Sequence, residues 1–295
     1  MRKELLQNQH NWYKGNLHMH TTCSDGRVSP EQAEDMYEQA GYDFIALTDH
    51  RKPGTEGYYK NMLLLSGVEW DTGDAQTSPV YHIIGAGMNR KTELSYTEGA
   101  PSPQHIIDAI KAAGGIAILA HPHWSMMNPD EMRELHGLAG AEIYNSVSGL
   151  PFNPRRADSS LYFDLWAGQG MMVRAMAADD AHFYSGDQPR SFIMVNAAAC
   201  TREALLDAIQ NGDFYASQGP KIYSIAVEDG RIHLKCSPEV KTVVFNSNMP
   251  WAAERVQEAA DGEAFYRYGE QDRYIRIELL DQEGRMAWSS PYPVR

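Results

Sequence analysis

Asn16-Leu17-His18-Met19-His20-Thr21-Thr22-Cys23-Ser24-Asp25-Gly26 is the stretch from which the rest of the chain can be read. Its first half, Asn16–His20, has the apolar alternation of a strand. Its second half is small and polar, as at a strand end. Residues two apart on a strand face the same side, so the rings of His18 and His20 aim at one point. A His-x-His pair alone is weak evidence of a metal site. Followed by Thr21, Thr22, Ser24, Asp25 and Gly26, it becomes a strand that ends in a turn rich in possible ligands.

The same arrangement recurs outward along the chain. Thr48-Asp49-His50 closes the apolar run Phe44–Thr48. Gly67-Val68-Glu69-Trp70 ends the run Leu63–Glu69, and His82 opens the run Val80–Ala86. Ala120-His121-Pro122-His123 follows Ile116–Ala120, and Asp180-Ala181-His182 follows Met171–Ala177. Ala141–Tyr144 and Phe192–Ala197 are further strand candidates. Helical stretches lie between several of these runs. Pro30–Ala40 follows Ser29, and His105–Ala113 follows Ser102 and Pro103, each a capping residue with Pro at the first helical position. Ser160–Ala167 and Arg202–Gln210 are helical too, the latter between Thr201 and Gly212. Strands alternating with helices predict a parallel α/β arrangement, and this many units predict a barrel.

Beyond about residue 216 the texture changes. Ile222–Val227, Ile232–Cys236, Val240–Phe245 and Ile275–Leu279 read as strands, with hairpin turns at Glu228-Asp229-Gly230 and Asp281–Gly284. A short helix is expected near Ala252–Ala260. The reading is therefore a barrel over residues 10–215 and a small all-β, sandwich-like domain over 216–295.

Composition narrows the partners. Of 295 residues, Lys and Arg supply 26 and Asp and Glu 39, for a net charge of −13. Long nucleic acids and anionic membranes are held by basic surfaces, so neither is an expected partner. A small anionic substrate is compatible if bound cations supply positive charge. Three scattered cysteines form no CxxC pair, which argues against a disulfide framework or a thiolate zinc site. Met1–Trp12 lacks an apolar signal core, so a cytoplasmic location is expected. Nothing in the pattern fixes an oligomeric state.

Imidazole and carboxylate at the ends of several strands suit a divalent transition metal. In a parallel barrel the C-terminal rim is where ligands from different strands converge. The ordered set of motifs from about residue 14 to 200 resembles the PHP (polymerase and histidinol phosphatase) family. That resemblance implies a distorted (β/α)7 TIM-like barrel holding two to three divalent ions: Mn, Zn or Fe. It implies a first metal on His18, His20, Glu69 and Asp180. Glu69 would bridge to a second metal on His82 and His121. A third would rest on Asp25, His50 and His182. Many members carry His where this chain has Asp25. The passage Gly212-Asp213-Phe214-Tyr215-Ala216-Ser217-Gln218-Gly219-Pro220, followed by a β domain, is similar to the CehA/McbA branch of these metallohydrolases.

The resemblance implies a metal-dependent phosphoesterase acting on a phosphate monoester, a nucleotide or an oligonucleotide end. A metal-bridging hydroxide would be the nucleophile. The catalytic set would be His18, His20, Asp25, His50, Glu69, His121, Asp180 and His182. Candidates for substrate contact are Arg51, Arg155, Arg156, His123 and Asn145, with Lys52 and Arg190 as further rim cations. Asp49 is expected to orient a ligand histidine, and Glu142 to touch substrate, to support a ligand or to serve structure alone. The same metals could serve a carboxylic or carbamic esterase. A third alternative is an inactive barrel acting as a binding module.

Overall fold

The computed structural model describes every residue except 1, 7, 78, 98 and 295. Strand β1 covers Asn11–Asn16, so His18 and His20 lie on its extended continuation rather than within it. It pairs in parallel with β2 (Phe44–Ala46), and β2 in parallel with β3 (Met62–Leu65). The run Leu63–Glu69 is two strands, not one. The chain turns a corner at Ser66 and enters a different sheet as β4 (Gly67–Thr72). Gly67 allows that corner, because a Cβ there would stand 2.4 Å from the Leu47 carbonyl oxygen.

The second sheet continues with β5 (Tyr81–Ala86), β6 (Ile116–Leu119), β7 (Gly140–Asn145) and β8 (Ala175–Ala178), in the order β8-β7-β6-β5-β4. Only β6–β7 and β7–β8 are parallel, while β4–β5 and β5–β6 are antiparallel. The expectation of a parallel arrangement is corrected here. Among its described residues the link from Thr72 to Tyr81 carries no helix, and a connection that short forms a hairpin. Helices are also fewer than seven strand–helix units would supply. Among the described residues four α-helices occur: α1 (Pro30–Gln39), α2 (Pro103–Ala112), α3 (Ser160–Gly168) and α4 (Arg202–Asn211). Ser29, Ser102 and Thr201 cap three of them by accepting a backbone N–H bond. The connection between β6 and β7 carries a 3-10 turn at Pro129–Glu134 instead of a full helix.

The two sheets meet along two seams, each an isolated bridge rather than a ladder. One joins His50 to Glu69, the other Met19 to Ala181. Beneath the seams, Leu17, Ile84, Ile118 and Met176 are buried in an apolar plug. Removing such side chains from water stabilises each by about 1.5–3 kcal/mol.

After β8 the chain adds β9 (Phe192–Ala197), antiparallel to β1, and β10 (Phe214–Ser217), antiparallel to β9. The main strands that follow are β11 (Ile222–Glu228), β12 (Arg231–Cys236), β13 (Val240–Asn246), β14 (Glu263–Arg267), β15 (Tyr274–Asp281) and β16 (Met286–Trp288). The helix expected near Ala252–Ala260 is absent. Those residues hold a short strand, Val256–Glu258, on the edge of β13. β11, β12 and β14 form a small sheet, which faces β13 and β15 across a core that includes Ile225, Leu234, Phe245 and Ile277.

Two features link this sandwich to what precedes it. β16 pairs with β10, so one sheet runs continuously from β3 to β13. Lys3–Glu4 pairs with β11, and Leu6 lies in the sandwich core. The Gly212–Pro220 passage thereby acquires a structural account. Gly212 ends α4 at φ 85°, a left-handed position that favours glycine. Phe214–Ser217 is the linking strand. Ser217 Oγ donates to the Pro220 carbonyl at 2.7 Å and accepts from Gly219 N at 2.8 Å, which fixes the exit turn.

Arg276 on β15 ties the sandwich to α3. It is 1% exposed, and its Nε and Nη2 donate to the two Asp164 carboxylate oxygens at 3.0 and 2.7 Å. Removing one member of a buried pair leaves the other charge unpaired. Arg276→Met should lower stability by about 3 kcal/mol in urea denaturation, with metal stoichiometry unchanged.

Candidate metal centre

The continuation of β1 places His18 and His20 on one side, and the seams bring the other strand ends to them. His18 Nε2 lies 3.3 Å from Glu69 Oε1 and 3.1 Å from Asp180 Oδ1. His20 Nε2 lies 3.1 Å from Glu69 Oε2 and 3.1 Å from the same Asp180 oxygen. The two Nε2 atoms are 3.3 Å apart. All four residues are buried. His121 Nε2 approaches Glu69 Oε1 at 3.6 Å and Asp180 Oδ2 at 3.7 Å. His82 Nδ1 lies 2.8 Å from Glu69 Oε1.

A further group stands toward solvent. Asp25 Oδ1 is 3.5 Å from His182 Nε2 and 3.6 Å from His20 Nδ1, and Asp25 Oδ2 is 3.8 Å from His50 Nε2. Three sets of side chains have ligand atoms close enough to share an ion: His20-Asp25-His50-His182, His18-His20-Asp180 and His18-Glu69-His121. All nine residues proposed from the sequence as ligands thus converge. His82 enters through its contact with Glu69.

The chemistry of these donors fits a cation. His18 Nδ1 sits 2.7 Å from Glu142 Oε1, a partner that takes the Nδ1 proton and leaves Nε2 to serve a metal when one is bound. Asp180 Oδ1 is buried with no hydrogen-bond partner, although two imidazole nitrogens stand 3.1 Å away. Lone pairs this close repel unless a positive centre lies among them. A divalent ion with bonds of about 2.1 Å places its ligands at such separations. Two of the ligand residues also adopt left-handed backbone, His121 at φ 25° and Asp180 at φ 52°. Strain of this kind persists where surrounding structure enforces it, often at functional sites.

Protonation tells the same story. Burial works against charge on His18, but Asp180, Glu142 and Glu69 outweigh it and hold the imidazole well above its usual range. His20 and His82 are also raised against burial, His20 by Asp180 and Glu69, and His82 chiefly by Glu69. Burial likewise opposes charge on His182, yet Asp25 and Asp180 lift it to about 9. Burial would raise Glu69, but the surrounding histidines, His18 first, hold its carboxyl well below the ordinary range. Without metal, the carboxylates recruit protons onto the rings.

Glu142 supports a ligand histidine, the task expected of Asp49, whereas Asp49 does not. Besides His18, Glu142 accepts from the His121 backbone N–H at 2.9 Å and from Asn145 Nδ2 at 2.7 Å. Asn145 also donates to Asp180 Oδ2 at 3.2 Å and is 1% exposed, so it positions carboxylates rather than meeting substrate. Asp49 bonds no ligand histidine. It accepts from Thr21 N, Thr21 Oγ1, Ser24 N and Ser24 Oγ, and so folds the turn that carries Asp25. Gly26 completes that turn, since a Cβ there would stand 2.3 Å from the His20 carbonyl oxygen.

The ligands open into a cavity of about 220 Å³, whose remaining wall is Trp124, Val147, Ser148, Asn153 and Phe183. Among the described residues that line it, none is Lys or Arg. Trp124 packs edge-on against His121 and donates from Nε1 to Asn153 Oδ1 at 3.1 Å. The other sequence candidates lie outside the lining. Arg51 pairs with Asp71 and stacks on Tyr96. Lys52 donates to the Cys23 carbonyl, and Arg190 to the Gly186 carbonyl. His123 Nδ1 donates to the Asp158 carbonyl at 2.7 Å. Arg155 and Arg156 lie in the loop beyond Asn153, where the Arg156 N–H meets the Ser148 carbonyl. Phe183 and Asn153 carried no motif that could have singled them out. A larger cleft of about 430 Å³ opens between Met132 and Arg174. It lies away from the ligands.

A crystal structure from Bacteroides vulgatus decides the fold. It is of a two-domain protein described as containing a predicted PHP-like metal-dependent phosphoesterase. The match covers 99% of this chain and 97% of that one, with a TM-score of 0.53 and 14% identity. The fold is PHP-like. An amidohydrolase structure from Chromobacterium violaceum, with bound sulfate and no metal, matches 59% of this chain and 89% of its own at a TM-score of 0.44 and 15% identity. An uncharacterized protein of Methanocaldococcus jannaschii is 28% identical over 148 residues, 45% of this chain and 82% of that protein. No family model matches the chain. Among the described residues, no helix is long and apolar enough to cross a membrane.

Metal uptake should release protons, because His18, His20, His82 and His182 hold them in the metal-free protein. Affinity should therefore rise with pH up to about 9, where His182 loses its proton. Calorimetry in buffers of different ionisation enthalpy measures the release. Glu142→Gln should weaken metal binding by about 10- to 100-fold, since it removes the charge that orients His18.

Proposed function

We propose that the chain is a metal-dependent phosphoesterase of the PHP type, acting on a small phosphorylated molecule. The seven strands β1, β2, β4, β5, β6, β7 and β8 would form its distorted barrel, closed at the two seams. The observation that carries this reading is the crowding of His18 Nε2, His20 Nε2, Glu69 and the unpartnered Asp180 Oδ1 within 3.1–3.3 Å. Divalent ions bound there would acidify water and offset phosphoryl charge.

The chain's own residues have definable tasks. His18, His20, Glu69, His121 and Asp180 would hold the buried ion or ions, with His82 beside Glu69. Asp25, His50 and His182 would hold another nearer solvent. A departing oxygen would be stabilised by that outer ion or, in its place, by protonated His182. Trp124 and Phe183 limit the space around the reacting group. The membership of the CehA/McbA branch is part of the same proposal and rests on the Gly212–Pro220 passage.

A second reading is hydrolysis of carboxylic or carbamic esters. The absence of Lys and Arg from the cavity lining favours it, because a neutral ester needs no fixed cation. Metal-stripped protein reloaded with Mn separates the two on aryl phosphates against aryl esters. Two to three metals per chain are expected by elemental analysis. His20→Ala should lower kcat/KM on the phosphate by at least about a hundredfold. Fewer than one metal per chain, with unchanged activity in the variant, would overturn the proposal.

A further inference from the structure

We infer that Arg27 is the anion-recognising residue of this site. It would engage a negatively charged substrate oxygen beyond those taken up by metal. This rests on the phosphoesterase reading and deepens it.

Arg27 follows directly from the Asp25-Gly26 turn, and its backbone N–H donates to the His182 carbonyl at 2.9 Å. The backbone is therefore pinned to the outer ligand group. The guanidinium lies over the Phe183 ring, 4.7 Å from its centroid. Phe152 stacks on the same ring at 4.9 Å and 15°. Phe183 thus contacts both Phe152 and Arg27. Phe183 lines the cavity, so the guanidinium lies against a residue of its wall.

The side chain is exposed. Its recorded contact is the Phe183 ring, with no carboxylate partner among the described ion pairs. Its rivals are engaged elsewhere: Arg51 by Asp71, and Lys52 and Arg190 by backbone carbonyls. An aromatic face holds a guanidinium in place and leaves its edge N–H groups free to donate. Those donors match the oxygens of a phosphate. A phosphate monoester dianion offers one more anionic oxygen than a diester, so Arg27 would select monoesters.

The test compares Mn-loaded wild type with Arg27→Gln, Arg27→Lys and Lys52→Gln on p-nitrophenyl phosphate and bis-p-nitrophenyl phosphate. Arg27→Gln should lower the monoester-to-diester ratio of kcat/KM about tenfold, as expected for one charge-assisted contact. Arg27→Lys should keep part of the ratio. Lys52→Gln, which removes the same charge from the same rim, should leave it as in wild type. An equal fall on both substrates, or a matching fall in Lys52→Gln, would overturn the assignment. If wild type cleaves neither phosphate, the phosphoesterase reading fails. The Arg27 assignment is then decided by calorimetric titration of inorganic phosphate into the same Mn-loaded proteins. Weaker binding by Arg27→Gln than by Lys52→Gln supports it, and equal binding overturns it.

Discussion

The structure depends on one electrostatic problem. Two buried imidazole nitrogens each stand 3.1–3.3 Å from a buried glutamate and a buried aspartate. Burying one such charge unpaired costs several kcal/mol. Burying this group together is tolerable only when protons or metal cations are shared among them. Glu142 then fixes which imidazole nitrogen faces inward, and Asn145 holds Glu142 and Asp180 in register.

The same problem explains where the sheets join. One seam pairs His50 with Glu69, two of the ligand residues themselves. The other pairs Met19, between His18 and His20, with Ala181, between Asp180 and His182. Backbone pairing is thinnest where the ligands are densest. The seams that join the two sheets therefore also assemble the site. The antiparallel β4–β5–β6 segment fits this arrangement, since it brings Glu69 and His82 together across one hairpin.

Much of this was legible in the chain. A ligand on nearly every strand end is a signal that no single histidine carries, and it located the cluster before any geometry was known. The strand runs were legible for the same reason, since buried strands are written as apolar runs. What escaped detection was context. Ser66 is an unremarkable residue, yet the chain changes sheets there because Gly67 lets it pass the Leu47 carbonyl. Asp49 stands beside a ligand histidine, which suggested a role in orienting one, but its oxygens face the Thr21–Ser24 turn. Charge made Arg51 a candidate for substrate, and only packing showed that Asp71 claims it. Phe183 and Asn153 belong to loops whose approach to the cavity depends on distant contacts.

The strand at Phe214–Ser217 has a consequence for how this chain can be divided. It is shared: one edge belongs to β9 and the other to β16. Lys3–Glu4 and Leu6 repeat the sharing from the opposite end of the chain. Severing the molecule near residue 216 would bare a row of backbone donors and acceptors on each side, a surface prone to aggregate. The two halves are interlocked at both termini, and neither is a cassette that could be exchanged with another protein without replacing its neighbour.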